Sequence, residues 1–117
     1  MSFKLTTAQV LDRSKTVTRR TGWANLKPGT RLWAVKQAMG LQKGQTVERL
    51  AVIEVMDVRR EPLGAIIDQG QAEVDREGFP NLNPQGFVDM LVAHYGGAVT
   101  GETIVTRIRF DYVDAKL

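Results

Sequence analysis

Three cations and three hydroxyl groups lie within the seven residues of segment 14–20, Ser-Lys-Thr-Val-Thr-Arg-Arg. Cations and hydroxyls can bind phosphate and other anionic oxygens, although a basic strand is also typical of a solvated surface. Residues two apart on a strand share a face, so we expect Thr18 and Arg20 on one side and Arg19 on the other. A bulge or turn before the strand would bring Lys15 round to the side of Thr18.

The charge of the chain is divided unevenly between its two halves. Residues 1–60 contain 12 Lys and Arg against 4 Asp and Glu, residues 61–117 contain 4 against 9, and the whole chain carries +3. A basic half favours polyanions such as RNA, through phosphate contacts and the release of condensed counterions. The acidic half either balances the charge of the fold or supplies a carboxylate to the same cleft.

Length and composition restrict the class of protein. The 117 residues, without repeat or linker, predict a single domain over residues 1–117. Because the chain has no cysteine and one histidine, disulfides, thiolate zinc sites and a cysteine nucleophile are excluded, and we predict neither metal nor cofactor. No apolar run approaches the ~20 residues that span a bilayer, and segment 1–7 does not resemble a signal peptide. We therefore expect a cytoplasmic protein without a membrane partner, either a monomer or a weak dimer.

Periodicity and capping signals predict the elements that must position the cluster. Strands and helices are expected in the following order: helix Ala8–Arg13, strands Lys15–Arg20, Arg31–Gln37 and Val47–Val58, helix Gln71–Glu77, a helix capped by Asn83 and ending at Gly96, and strand Thr103–Val113. Long strands joined by turns, with the helices grouped to one side, indicate an α+β fold with a curled sheet or a small mixed or antiparallel β-barrel flanked by helices.

The sequence makes more specific predictions for several single residues. Trp33, on an alternating strand, is expected in the core, and His94, on the inward face of the last helix, is expected to be structural. Trp23 lies in a predicted loop and is the better candidate for stacking on a base. In the last strand, Arg107 and Arg109 are expected on an outer basic face.

Segment 15–20, Lys-Thr-Val-Thr-Arg-Arg, resembles the K-T-x-T-x-R signature of the ASCH family, a branch of the PUA-like β-barrels. Segment 26–32 resembles the start of that family's second strand, and Glu77-Gly78-Phe79 with a helix ending at Tyr95 resembles its acidic loop and helix. The resemblance covers nearly the whole chain and implies a PUA-like fold. The sequence departs from the family at Arg13, where the signature usually has glycine, and in the additional residues Pro80–Asn83.

The resemblance also implies a function, because one branch of the family removes the acetyl group from N4-acetylcytidine. It implies that Lys15, Thr18 and Glu77 form the catalytic set. Thr18 would attack the amide carbonyl and Lys15 would take the proton of its hydroxyl, while Glu77 would shuttle a proton to the leaving amine or orient Lys15. Further residues expected to bind the substrate or RNA are Arg19, Arg20, Trp23, Lys27, Lys36 and Tyr95.

Three functions are open at this stage, each with RNA or a modified nucleoside as the partner. The first is a hydrolase that acts on an acylated nucleoside. The second is a non-catalytic RNA-binding module with a phosphate-facing surface made of Lys15, Arg19, Arg20, Lys27 and Lys36. The third is a metal-independent ribonuclease, in which Lys15 and Tyr95 assist attack by the 2′-OH of the RNA.

Overall fold

A computed structural model of the chain describes residues 1–38 and 40–114. Its four strands form one antiparallel sheet with the order β1–β4–β3–β2. The strands are β1 (Val17–Arg20), β2 (Arg31–Val35), β3 (Arg49–Pro62) and β4 (Ile104–Val113). The sheet curls into a half-barrel and the fold is α+β, as the sequence predicts.

The curl of the sheet depends on its two long central strands. Strand β3 has 14 residues and pairs with β2 at its beginning and with β4 along most of its length. Its register with β4 shifts between Val55 and Asp57. An extra residue in one strand of a pair bends that strand and increases its twist. This bend allows the continuous strand β3 to pair with both β2 and β4.

Four short helices accompany the sheet. After a 3-10 turn over Lys4–Thr6 come α1 (Thr7–Leu11), α2 (Ala65–Gln69), α3 (Gln71–Arg76) and α4 (Pro84–His94). The predicted start of α4 is confirmed, because the Asn83 side chain accepts a hydrogen bond from the Gly86 backbone N–H at 2.7 Å, with Pro84 in the first turn. None of the helices within the described ranges combines the length and the apolar character needed to cross a membrane.

Apolar side chains pack against both faces of the sheet. Val105 and Phe110 are both buried on β4, and their odd separation places them on opposite faces. Val105 belongs to a cluster with residues of α2, α3, α4 and the loops beside them, namely Leu63, Ile66, Val74, Phe87, Val88 and Val99. Phe110 belongs to a second cluster with Phe3, Val10, Ala34 and Ile53. The N-terminal segment and α4 therefore approach the β1 edge of the sheet from opposite sides.

Three of the single-residue predictions differ from the structure. Trp33 is only half-buried, because β2 is an edge strand; the Arg49 guanidinium lies over its ring, 4.9 Å from the centroid. His94 is exposed at the end of α4. Arg109 is on an exposed face as predicted, but Arg107 is only 6% exposed, because the Glu73 carboxylate of α3 pairs with its guanidinium.

Candidate functional site

A cavity of about 170 Å³ lies between the N-terminal segment, the edge strand β1 and helix α4. One part of its lining is apolar and consists of Phe3, Leu5, Phe79, Phe87 and Leu91, whereas the polar part includes Lys15, Thr18, Arg19, Arg20, Glu77, His94 and Tyr95. Sites for drug-sized ligands measure about 300–1,000 Å³. A cavity of this size accommodates a group such as a single base or an acylated amine, with its polar end against β1.

Lys15 reaches this cavity because the chain turns immediately before β1. The Lys15 backbone N–H bonds to the carbonyl of Gln9, and the N–H of Thr16 bonds to the carbonyl of Arg76. Arg13 adopts a φ of 64°, the left-handed conformation that favours glycine. The turn therefore has, at Arg13, the backbone conformation that the glycine of the ASCH signature would supply.

Lys15 and Glu77 form a buried ion pair at the polar end of the cavity. Lys15 Nζ donates to the Glu77 backbone oxygen at 2.6 Å and to Oε1 at 3.0 Å, and the two side chains are each 3% exposed. Burial lowers the pKa of Lys15, the Glu77 carboxylate opposes this effect, and the neighbouring arginines add to the lowering. A lysine with a lowered pKa is more readily neutral, which is the form that accepts a proton.

Arg19 holds the other oxygen of the Glu77 carboxylate. Its Nη1 donates to Glu77 Oε2 at 2.8 Å, and its Nη2 donates to Glu73 Oε1 at 2.9 Å and to Gln69 Oε1 at 2.8 Å. The Arg19 side chain is fully buried, and its Nε has no hydrogen-bond partner among the described residues. Arg19 therefore fixes the position of Glu77, and both of its terminal nitrogens are already engaged within the protein.

The buried charges continue along the same face of the sheet to Arg107, which the sequence does not assign to the site. Arg107 Nε donates to Glu73 Oε1 at 2.6 Å. Burial opposes ionisation of Glu73, but hydrogen bonds from Arg107 and Arg19 lower its pKa to about 2. The spacing of Glu73 and Glu77 is the signal that could have found this network, since residues four apart on a helix share a face.

We expect Glu73→Gln to destabilise the fold by about 3 kcal/mol at pH 7, because it leaves two buried guanidiniums without their shared counter-charge. A carboxyl whose pKa is about 2 in the folded chain and about 4.5 when unfolded stabilises the fold above pH 4.5 and loses that contribution as the pH falls toward 2. Urea unfolding should therefore show that the difference between wild type and variant shrinks from pH 7 to pH 3. A difference independent of pH would contradict the assigned ion pairs.

Thr18 and Arg20 complete the polar end of the cavity. Arg20 Nε donates to Thr18 Oγ1 at 3.0 Å, and the Arg20 guanidinium lies 4.7 Å from the centroid of the Phe3 ring. Burial lowers the pKa of Arg20. Within the described ranges the Thr18 hydroxyl has no hydrogen bond to Lys15, so transfer of its proton requires a bound ligand or a water molecule to complete the geometry.

The remaining predicted binding residues divide into two groups. Tyr95 lines the cavity. Trp23, Lys27 and Lys36 are exposed and are absent from its lining, and Lys36 lies 3.8 Å from Glu48. The expectation that Trp23 stacks on a base within this site is therefore not supported by its position.

The predicted phosphate-facing surface is also not formed as a continuous patch. Two of its five cations, Lys15 and Arg19, are buried and paired with carboxylates from the acidic half of the chain. Part of the basic charge of the first half is thus neutralised inside the fold by carboxylates of the second half.

Gly78 fixes the position of Glu77 and Lys15 through its backbone. Its φ is 96°, and a Cβ there would lie 3.1 Å from the Gln9 Cγ and 3.5 Å from the Lys15 Cβ. We expect Gly78→Ala to cost about 2 kcal/mol of folding free energy, from the unfavourable φ and the close contact, and to move Lys15 relative to Glu77. Gly29→Ala, at a φ of 90° in open space, is the matched control for the backbone effect. If Gly78→Ala and Gly29→Ala lose the same free energy of unfolding in urea, the steric contribution at Gly78 is contradicted.

In the described part of the chain, no three His, Asp or Glu side chains are grouped so that they could hold a metal ion. The groups that line the site are a buried lysine, a threonine hydroxyl, a fixed carboxylate and a guanidinium beside an apolar wall. Comparison of the chain with models of protein families, with curated proteins and with solved structures yields no match. The ASCH resemblance therefore stays a prediction.

Proposed function

We propose that the chain binds an acylated nucleoside such as N4-acetylcytidine in this cavity and hydrolyses its amide. The observation that carries the proposal is the buried Lys15–Glu77 ion pair, which lines the same cavity as the Thr18 hydroxyl. A base in the apolar part of the cavity would present its acylated amine to the polar end, where these three groups lie.

In the proposed reaction, the neutral form of Lys15 is the base. Thr18 Oγ1 forms a bond to the amide carbonyl carbon, and its proton passes through a bound water molecule or ligand group to Lys15 Nζ. The carbon–nitrogen bond then breaks, and the nucleoside amine leaves with a proton from Lys15. Water then hydrolyses the resulting Thr18 ester. This step releases the carboxylic acid and regenerates the Thr18 hydroxyl. Because both Glu77 oxygens accept hydrogen bonds from cations, its position favours orienting Lys15 over carrying the proton itself.

Arg20 supports this chemistry from the other side of Thr18. Its Nε–H bond to Thr18 Oγ1 favours a developing negative charge on that oxygen. Its side chain lines the cavity and makes no ion pair with the described residues, so the guanidinium also serves to stabilise the oxyanion of the tetrahedral intermediate.

The charge pairing favours a small ligand over a long RNA. An extended RNA site requires several cations that face solvent along the backbone of the nucleic acid. Lys15 and Arg19, which lie in the segment with the highest density of cations, are turned inward. The alternatives are RNA binding without catalysis and RNA cleavage. An assay of N4-acetylcytidine hydrolysis separates both of them from the proposed function.

The proposal is tested by substituting one threonine at a time in the same segment. Thr18→Val removes the hydroxyl but keeps the shape, whereas Thr16→Val makes the same change at a residue that does not line the cavity. With N4-acetylcytidine as substrate and cytidine release followed by chromatography, we expect Thr18→Val to lower kcat/KM at least ~10³-fold and Thr16→Val to lower it less than ~3-fold. If Thr18→Val is as active as the wild type and Thr16→Val, Thr18 is excluded as the nucleophile.

A further inference from the structure

Three arginines form a row on one face of strands β1, β4 and β3, and all three are paired with carboxylates. Arg19, Arg107 and Arg59 lie directly opposite one another in the register of the three strands and therefore share a face. Each of them pairs with a carboxylate: Arg19 and Arg107 with Glu73, and Arg59 with Glu61. This face is covered by α3, which supplies Glu73.

One residue further along these strands, a second row of side chains lies on the opposite face of the sheet. Arg20, Thr106 and Arg60 are register partners there, and Arg60 Nη1 donates to Thr106 Oγ1 at 2.7 Å. Neither arginine of this Arg20–Arg60 row forms an ion pair with a carboxylate in the described ranges. Arg60 is exposed and Arg20 half-buried, so both are accessible to a ligand.

Arg60 has no carboxylate partner in the described ranges, and its guanidinium can form charge-assisted hydrogen bonds to a bound anion. The row begins at the cavity, because Arg20 lines it. Strand spacing places Arg60 about 12 Å from Thr18, Cα to Cα. The Arg60 guanidinium lies closer to the cavity than its Cα, because its Nη1 bonds to Thr106 on the strand between β3 and β1, and this places it within the length of a nucleotide whose base lies in the cavity.

We propose that Arg60 binds a phosphate group of the ligand, so that the preferred substrate is a nucleotide and not an uncharged nucleoside. The inference rests on the proposed function, since it assumes a base in the cavity. The phosphate comes either from a free nucleoside monophosphate or from an RNA chain. Arg60 is the specificity residue, because it binds the phosphate at a distance from the reacting amide.

The experiment compares binding of cytidine, cytidine 5′-monophosphate and a short single-stranded oligoribonucleotide by calorimetric titration at low salt. It uses the wild type, Arg60→Gln and the control Arg109→Gln. Arg109 is an exposed arginine of β4 on the opposite face of the sheet. For the wild type we expect the monophosphate to bind about tenfold more tightly than cytidine, with an advantage that falls as salt is added. Arg60→Gln should remove most of that advantage, and Arg109→Gln should keep it.

An oligoribonucleotide that binds more tightly than the monophosphate, with the same dependence on Arg60, identifies RNA as the source of the phosphate. Equal or weaker binding of the oligoribonucleotide identifies the free nucleotide. Cytidine and its monophosphate binding equally would overturn the phosphate site and leave the nucleoside cavity intact. An equal loss of the monophosphate's affinity advantage in Arg60→Gln and Arg109→Gln would also overturn the phosphate site, because the net charge alone would then explain the binding. Failure of all three ligands to bind would instead remove the proposed function itself.

Discussion

Lys15→Met is expected to lower kcat/KM for an acylated nucleoside about 10³- to 10⁴-fold, because it removes the one buried amine among the described residues that line the cavity while keeping a side chain of similar length. In the wild type, the rate should rise with pH through the pKa of Lys15. That pKa is lowered by burial, so the rising limb lies below the ordinary value of 10.5. The measurement is cytidine release by wild type and variant across pH 6 to 10.

Lys4→Met is the matched control for this substitution, because Lys4 is an exposed lysine in the lining of the same cavity. Its kcat/KM should stay within about threefold of the wild type. A Lys15→Met variant that retains turnover would contradict the role of Lys15 as the base. If neither protein turns over a nucleoside but Lys15→Met weakens RNA binding, the binding-module hypothesis would replace the hydrolase.

Glu77→Gln is expected to lower kcat/KM about 10²- to 10³-fold and to cost about 3 kcal/mol of folding free energy. The substitution removes the charge that Lys15 and Arg19 share, at two side chains that are almost fully buried. Without this carboxylate Lys15 loses its orientation, and its pKa falls further because the opposing charge is gone. Steady-state kinetics and urea unfolding on the same preparation measure the two effects.

Glu54→Gln provides the comparison for the stability effect. It breaks an ion pair of similar length, Arg31 Nε to Glu54 Oε1 at 2.9 Å, but these side chains are 46% and 27% exposed. Exposed pairs contribute about 0–1 kcal/mol, so this variant should unfold almost like the wild type. A loss as large as that of Glu77→Gln would contradict the view that burial gives the Lys15–Glu77 pair its importance.

The elements with strong local signals could be predicted from the sequence. Asn83 followed by Pro84 determined the start of α4, and the glycine after Glu77 adopts the positive φ expected at the end of a helix. The alternation in 103–113 gave strand β4, which the structure has over Ile104–Val113. These features depend on backbone preferences and on periodicity, both of which act within a few residues.

The partners of the charged side chains could not be predicted in this way. Alternation placed Arg107 on an outer face, but α3 covers that face and brings Glu73 against it. Likewise, Trp33 alternates like a core residue, although its strand lies at the edge of the sheet. Such outcomes depend on which helix covers which strand, and no local pattern contains that information. The resemblance of segment 15–20 singled out Lys15 and Thr18, and that of Glu77-Gly78-Phe79 singled out Glu77; the three side chains line one cavity.

The most direct test of the proposed activity is a single-turnover reaction of N4-acetylcytidine with an excess of the purified protein, with cytidine and acetate measured separately. The proposed mechanism predicts that both products appear in equal amounts, and that neither appears with Lys15→Met. Unchanged N4-acetylcytidine after prolonged incubation with a folded wild-type protein would contradict hydrolysis of this substrate and leave RNA binding or RNA cleavage as the function to be tested.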